Sequence, residues 1–245
     1  MRYLILFGSI WCSLLSAADR LPNIVILLAD DLGYGELGCQ GNQQIPTPHI
    51  DSIAKNGVRF TDGYVTAPVC SPSRAGLMSG RHQARFGYHT NVMPHTIPGS
   101  RLGIPASETT LAEHLKTAGY RTGLIGKWHL SGTSNGNADS PALLGIDHYA
   151  GLLSGSHQDY NAVRLTQNGV TSTVDQYATA LFTNLALDWL KGQTSPWFLW
   201  LAYTAPHAPF HLPPDSLHHS QGLSGDSAAI DANPLPYYLA MLEAM

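Results

Sequence analysis

Four short clusters in the sequence place chemically capable side chains beside turns: Asp30-Asp31, the run Cys70-Ser71-Pro72-Ser73-Arg74, Lys127-Trp128-His129, and His207. Adjacent carboxylates offer the oxygen ligands that Ca²⁺ and Mg²⁺ take, although paired aspartates at a turn commonly cap a helix or face water. Two carboxylates alone would leave a calcium shell incomplete. Cys70 precedes a helical stretch expected from Ser73. At such an N-terminus the unpaired N–H groups and the helix dipole favour an anion and lower a thiol's pKa. Arg74 adds a forked cation suited to sulfate, phosphate or carboxylate, whereas Arg81 reads as structural. Lys127 and His129 are one residue apart, so on an extended strand end they would point the same way, as a cation beside a proton shuttle. A single histidine is commonly a hydrogen-bonded structural group. Two histidines at separate strand ends, with a lysine and an acidic pair, favour one shared site.

The elements that must position these groups alternate in kind. Asn23–Ala29 and Trp197–Tyr203 are continuous apolar runs of the sort buried in parallel sheets, and Tyr120–Ile125 resembles them. Val58–Val65 alternates loosely and reads as a further strand. A helix is expected from Thr47-Pro48 to Gly57, with Pro at its first position. Another follows the capping box Thr110–Glu113, with Leu111, Leu115 and Ala118 on its apolar face. Tyr177, Ala178, Leu181, Leu185 and Trp189 repeat at helical spacing, and Gly132–Asn137 has the composition of a loop. The alternation predicts an α/β domain with a mostly parallel central sheet, whose ligand crevice lies beyond the carboxyl ends of the strands. Asp30-Asp31, Lys127/His129 and His207 all fall at such ends.

Composition narrows the function classes. The 245 residues are 44% hydrophobic and only 12% charged, with a net charge of -4, which gives no footprint for nucleic acid. Residues 1–18 carry Arg2, the apolar stretch Tyr3–Leu15 and the small run Ser16-Ala17-Ala18, the pattern of a secretory signal peptide and too short for a stable membrane span. Export to a secreted or periplasmic location is the leading reading, with an uncut N-terminal membrane anchor as the alternative, and on export Cys12 would leave with the signal. Cys39 and Cys70 remain, and in an oxidising compartment they could pair as a disulfide, which would remove Cys70 from chemistry. The segment from Asn233 reads as an amphipathic helix running to Met245, so residues 22–245 are expected to be the N-terminal part of a longer domain.

The chain resembles the sulfatases, the formylglycine-dependent branch of the alkaline phosphatase superfamily. "CSPSR" at 70–74 is similar to their C-x-P-S-R motif. The likeness extends in family order through "NIVILLADDLGYGELGCQGN" at 23–42, "TPHIDSIAKNGVRFTDGYV" at 47–65, "GYRTGLIGKWHL" at 119–130 and "WFLWLAYTAPHAPF" at 197–210. The resemblance implies an alkaline-phosphatase-like fold with helices on both faces of the sheet, incomplete at the C-terminus. It implies that a formylglycine-generating enzyme oxidises Cys70 to formylglycine, whose hydrate attacks sulfur with one hydroxyl and expels sulfate with the other. Asp30, Asp31 and the converted Cys70 would bind a divalent cation, calcium with magnesium as the alternative. Arg74 would hold the nucleophile and Lys127 a substrate oxygen. His129 would assist proton transfer, and His207 would protonate or hold the leaving alkoxide. Ser156-His157 resembles a further substrate-side position on looser spacing. Cys39 falls in a family motif without a catalytic role, which counts against the disulfide.

Two departures accompany the likeness. Ser131 stands where the family usually has glycine, and the family's later Asp–Asn metal pair and second substrate lysine would lie beyond Met245. The leading expectation is a sulfatase acting on a sulfated small molecule or carbohydrate, with the chain as it stands an inactive fragment. The alternatives are a phosphate or phosphonate ester hydrolase of the same superfamily, and a non-catalytic binding fragment. The loops Asn91–Arg101 and Pro209–Asp226 are expected to shape the pocket.

Overall fold

The computed structural model describes residues 21–92 and 103–245. The expected signal peptide lies outside them, as does the Asn91–Arg101 loop beyond Val92. Six strands are described: β1 (Ile24–Asp30), β2 (Arg121–Lys127), β3 (His148–Leu152), β4 (Val163–Gln167), β5 (Val170–Val174) and β6 (Trp197–Pro206). The helices are α1 (Pro48–Asn56), α2 (Cys70–Ser79), α3 (Leu111–Thr117), α4 (Ser140–Leu143), α5 (Ala178–Lys191), α6 (Ser227–Ala232) and α7 (Leu235–Glu243).

The strands form one sheet in the order β1-β6-β2-β3-β4-β5. The pairings β1/β6, β6/β2 and β2/β3 are parallel, while β3/β4 and β4/β5 are antiparallel. Alternation along β6 explains why its sequence is apolar throughout. Phe198, Trp200 and Ala202 pack with Ala75 and Met78 of α2 and Ala112 of α3. Leu199 and Leu201 face the other way, onto Ala178, Leu181 and Phe182 of α5 and Met241 of α7. A strand covered on both faces needs an unbroken apolar run. Helices therefore lie on both faces, in agreement with the α/β expectation. β1 is the sheet edge, and its Val25 and Leu27 are about half exposed.

Close approach between β3, β2 and β6 depends on glycine at two positions. A Cβ on Gly126 would lie 2.0 Å from the Ala202 carbonyl oxygen, and one on Gly151 would lie 1.7 Å from that of Gly126. The capping box of α3 is formed. The Thr110 hydroxyl accepts from the Glu113 N–H at 3.1 Å, and the Glu113 carboxylate accepts from the Thr110 N–H at 2.8 Å.

Two sequence expectations change, and one hairpin had no expectation. Val58–Val65 is not a strand; a turn at Thr61-Asp62 interrupts it, and Val58, Phe60 and Tyr64 are largely exposed. Its loose alternation includes Gly63 and has, among the described residues, no neighbouring strand to receive its backbone bonds. Helix α2 begins at Cys70 itself, three residues before the expected Ser73. The β4–β5 hairpin goes unread, although Asn168-Gly169, both with positive φ (46° and 87°), is a strong two-residue hairpin turn signal.

Candidate active site

The parallel register brings the ends of three strands to one edge. Asp30 at the end of β1 pairs with Pro206 of β6, and Lys127 closes β2 beside them. Helix α2 points its N-terminus at the same place. Its start is pinned by Ser71, a fully buried residue whose hydroxyl donates to the His129 carbonyl at 2.7 Å and meets the Tyr88 hydroxyl at 2.5 Å. The Ser71 N–H donates to Asn91 Oδ1 at 2.9 Å, so one of the helix's free amides is already satisfied.

Asp30 is the electrostatic centre. Its carboxylate accepts from Arg74 Nη2 at 3.1 Å and from Lys127 Nζ at 2.5 Å, and all three side chains are buried. Burial by itself pushes the Asp30 carboxyl up, and the Arg74 and Lys127 cations outweigh it, so its pKa lies below the ordinary value. Arg74 also donates from Nη1 to the Lys127 carbonyl at 2.6 Å and lies 5.8 Å from the Trp200 ring centroid. Its donors are thus committed beneath the site, where the sequence suggested an open anion receptor. Arg81 is structural, pairing with Glu108 at 2.6 Å.

Lys127 and His129 do not share an extended strand end. β2 stops at Lys127 and His129 is left-handed, with φ 56°, so the two residues do not follow a strand's alternation. Asp31 is likewise left-handed, with φ 62°. Backbone strain of this kind clusters at functional sites. The His129 ring is buried, and its Nδ1 has no hydrogen-bond partner among the described residues. Burial, then the positive charges of Lys127 and Arg74, push its pKa down to about 3, so it is neutral at physiological pH. Gly155 allows this placement, since a Cβ there would lie 2.7 Å from His129 Cε1.

His207 follows β6, and the neighbouring Cys70 side chain raises its pKa above the ordinary imidazole value against the opposing effect of burial. Its Nε2 stands 3.5 Å from Asp31 Oδ2. Ligand atoms of Asp30, Cys70 and His207 all lie within 4.8 Å of one another. Cys39 and Cys70 are both free thiols, so the disulfide alternative is not formed. His157 turns inward, with Nε2 2.9 Å from the Thr204 hydroxyl and its ring centroid 4.5 Å from that of Tyr160. Ser131 Oγ meets Ser140 Oγ at 2.6 Å, and Ser140 accepts from Trp128 Nε1 at 2.9 Å, giving the departure from glycine a packing role.

Over this floor opens a cavity of about 900 Å³ whose lining includes Cys70, His129, Ser156, His157 and His207. Among the groups beneath it, the two aspartates suit a hard divalent cation, whereas a thiol sulfur is a soft donor that suits it poorly. The donor set fits such a cation in kind, and most of its six to eight positions would fall to other oxygens. Arg74, Lys127 and Asp30 were legible as residues but not as one ion-pair network. Gly155 and Trp200 were missed, and Ser71 and Asn91 were named only within a motif and a pocket loop, because each acts through a contact that no local spacing encodes.

Comparison with known proteins bears on this arrangement. Human arylsulfatase A is 46% identical over 136 residues, which cover 56% of this chain and 26% of that protein. The crystal structure of Ps i-CgsB in complex with k-i-k-neocarrahexaose superposes with a TM-score of 0.76 at 31% identity, covering 91% of this chain and 52% of that one. The structure of BT4656 in complex with its substrate D-glucosamine-2-N,6-O-disulfate gives a TM-score of 0.67 at 30% identity, over 80% of this chain and 37% of its own. The chain thus spans about a quarter to half of the length of these relatives. The sulfatase family model matches residues 22–245, the span that holds every residue of the site, and the chain belongs to the sulfatase family.

Proposed function

We propose that the full-length protein is an exported sulfatase that hydrolyses sulfate monoesters, with Cys70 converted to formylglycine and a divalent cation, calcium in preference to magnesium, at Asp30 and Asp31. The observation that supports this reading is the setting of Cys70. It opens α2 at the carboxyl edge of the sheet, with its side chain within 4.8 Å of ligand atoms of His207 and Asp30, and it lines the cavity above the Asp30–Arg74–Lys127 network. Conversion resolves the mismatch in the donor set, because it replaces a soft sulfur with oxygen. The hydrate would supply one hydroxyl for attack on sulfur and a second to release sulfate, and the cation, when bound, would orient the ester and offset its charge.

The chain's own residues divide the remaining work. His129 and His207 line the cavity beside residue 70, where His129 is placed to take up a proton and His207 to donate one to the leaving alkoxide or hold it. Lys127 and Arg74 keep Asp30 ionised and impose a positive field under the substrate sulfate, acting from beneath the site in place of the direct contacts to nucleophile and substrate oxygen that the resemblance implies. The substrate is a sulfated small molecule or carbohydrate. Saccharide ligands in two structural neighbours support the carbohydrate side of that range. The maturation partner is a formylglycine-generating enzyme, met during export under the signal at residues 1–18. Among the described residues no helix is long and apolar enough to cross a membrane.

The test is hydrolysis of 4-nitrophenyl sulfate and 4-nitrophenyl phosphate by the full-length protein, expressed with the maturation enzyme, beside Cys70→Ala. Sulfate turnover that exceeds phosphate turnover and vanishes in Cys70→Ala is expected. Preference for the phosphate would instead favour the related phosphoester reading, and inertness to both would favour a binding protein.

A further inference from the structure

The β4–β5 hairpin forms part of the cavity wall and carries a cation that the reaction at Cys70 does not use. Side chains alternate along β4: Val163 and Leu165 are buried in the core against α5, while Arg164 and Thr166 face the opposite way, into the cavity. Thr166 stands opposite Thr171 of β5, and their hydroxyls meet at 2.8 Å. Both threonines and Arg164 share the cavity's lining with Cys70, His129 and His207.

Two features separate Arg164 from the other arginines around the site. Arg74 and Arg81 are committed to Asp30 and Glu108, whereas Arg164 pairs with no carboxylate among the described residues. Among the described residues lining the cavity, none is acidic, and Arg164 is the one with a permanent charge. A volume of about 900 Å³ also exceeds what a lone sulfate ester group occupies, leaving room for a ligand of several rings. A forked guanidinium on a wall of hydroxyl and amide groups, with no counter-ion of its own, is built to receive a planar or tetrahedral oxyanion from a hydrogen-bonding ligand.

We propose that Arg164 is a specificity-determining residue that binds a second anionic group of the substrate, a sulfate or carboxylate away from the ester being cleaved, and so selects polyanionic saccharides. The inference rests on the sulfatase reading above and names the substrate class within it. The scissile sulfate is held at the strand ends, and the second anion is held by the hairpin.

The experiment uses the full-length protein expressed with the maturation enzyme. It compares a singly sulfated disaccharide with two counterparts that carry an added sulfate or an added carboxylate on the adjacent ring. The wild type is expected to prefer at least one of the doubly anionic substrates. In Arg164→Gln that preference, as a ratio of kcat/KM values, should fall by about 10- to 100-fold, mainly through KM, because hydrogen bonds to a charged group are lost. Arg164→Lys should restore part of it, and added salt should weaken it in the wild type. Which counterpart responds identifies the oxyanion. A wild type with no preference, or an Arg164→Gln variant that changes all three substrates equally, overturns the proposal while leaving sulfatase activity intact. A wild type that cleaves no sulfate ester, 4-nitrophenyl sulfate included, overturns the sulfatase reading and this inference with it.

Discussion

Asp30 shows how much of a site can rest on one buried side chain. Arg74 and Lys127 reach it from 44 and 97 residues away, so the ion-pair network depends on chain crossings that local sequence does not encode. The residue types and their strand-end positions were readable; the bonds among them were not. Replacing Asp30 by Ala leaves the buried Arg74 and Lys127 cations without their counter-ion, and is expected to destabilise the fold by roughly 3–5 kcal/mol in chemical denaturation. His157 makes a separate prediction about pH. Burial pushes its pKa down to about 4, so the unfolded chain takes up a proton that the folded chain refuses. Stability from this histidine is therefore complete above the unfolded pKa near 6.5 and declines as pH falls toward 4, by roughly 3 kcal/mol. Denaturation midpoints measured from pH 7 to pH 4 should fall less steeply in His157→Gln than in the wild type.

At the scale of elements, legibility followed periodicity and punctuation. β1, β2, β6, α1, α3 and α5 announce themselves by apolar period, proline, glycine or a capping box, and all are present. The stretch Val58–Val65 shows the limit of that signal, because alternation without a pairing partner does not make a strand. The hairpin shows the converse, since Asn168-Gly169 marks a turn even where the flanking strands are short and only partly apolar. Element geometry also sets the position of His129. Gly155 lies against its ring, so Gly155→Ala should displace the imidazole by a fraction of an ångström to an ångström. A misplacement of that size is expected to lower kcat by roughly 10²-fold while circular dichroism stays close to wild type. An unchanged kcat would show that His129 does not need this position.

For the whole molecule, the sheet order and the two helical layers explain why four clusters scattered between residues 30 and 207 meet at one edge. That convergence was legible as a rule about parallel sheets, and family resemblance supplied its chemistry. The described residues offer a hard cation only part of its shell, and the chain spans about a quarter to half of its relatives' length. Chelation of the full-length protein is accordingly expected to abolish sulfate hydrolysis, with recovery on adding calcium; activity indifferent to a chelator would contradict a cation at Asp30 and Asp31. The most direct test of the account concerns Cys70 itself. Mass spectrometry of the peptide containing Cys70, from full-length protein expressed with a formylglycine-generating enzyme, should find the aldehyde in place of the thiol. An unmodified cysteine in that setting would contradict the mechanism proposed for this site.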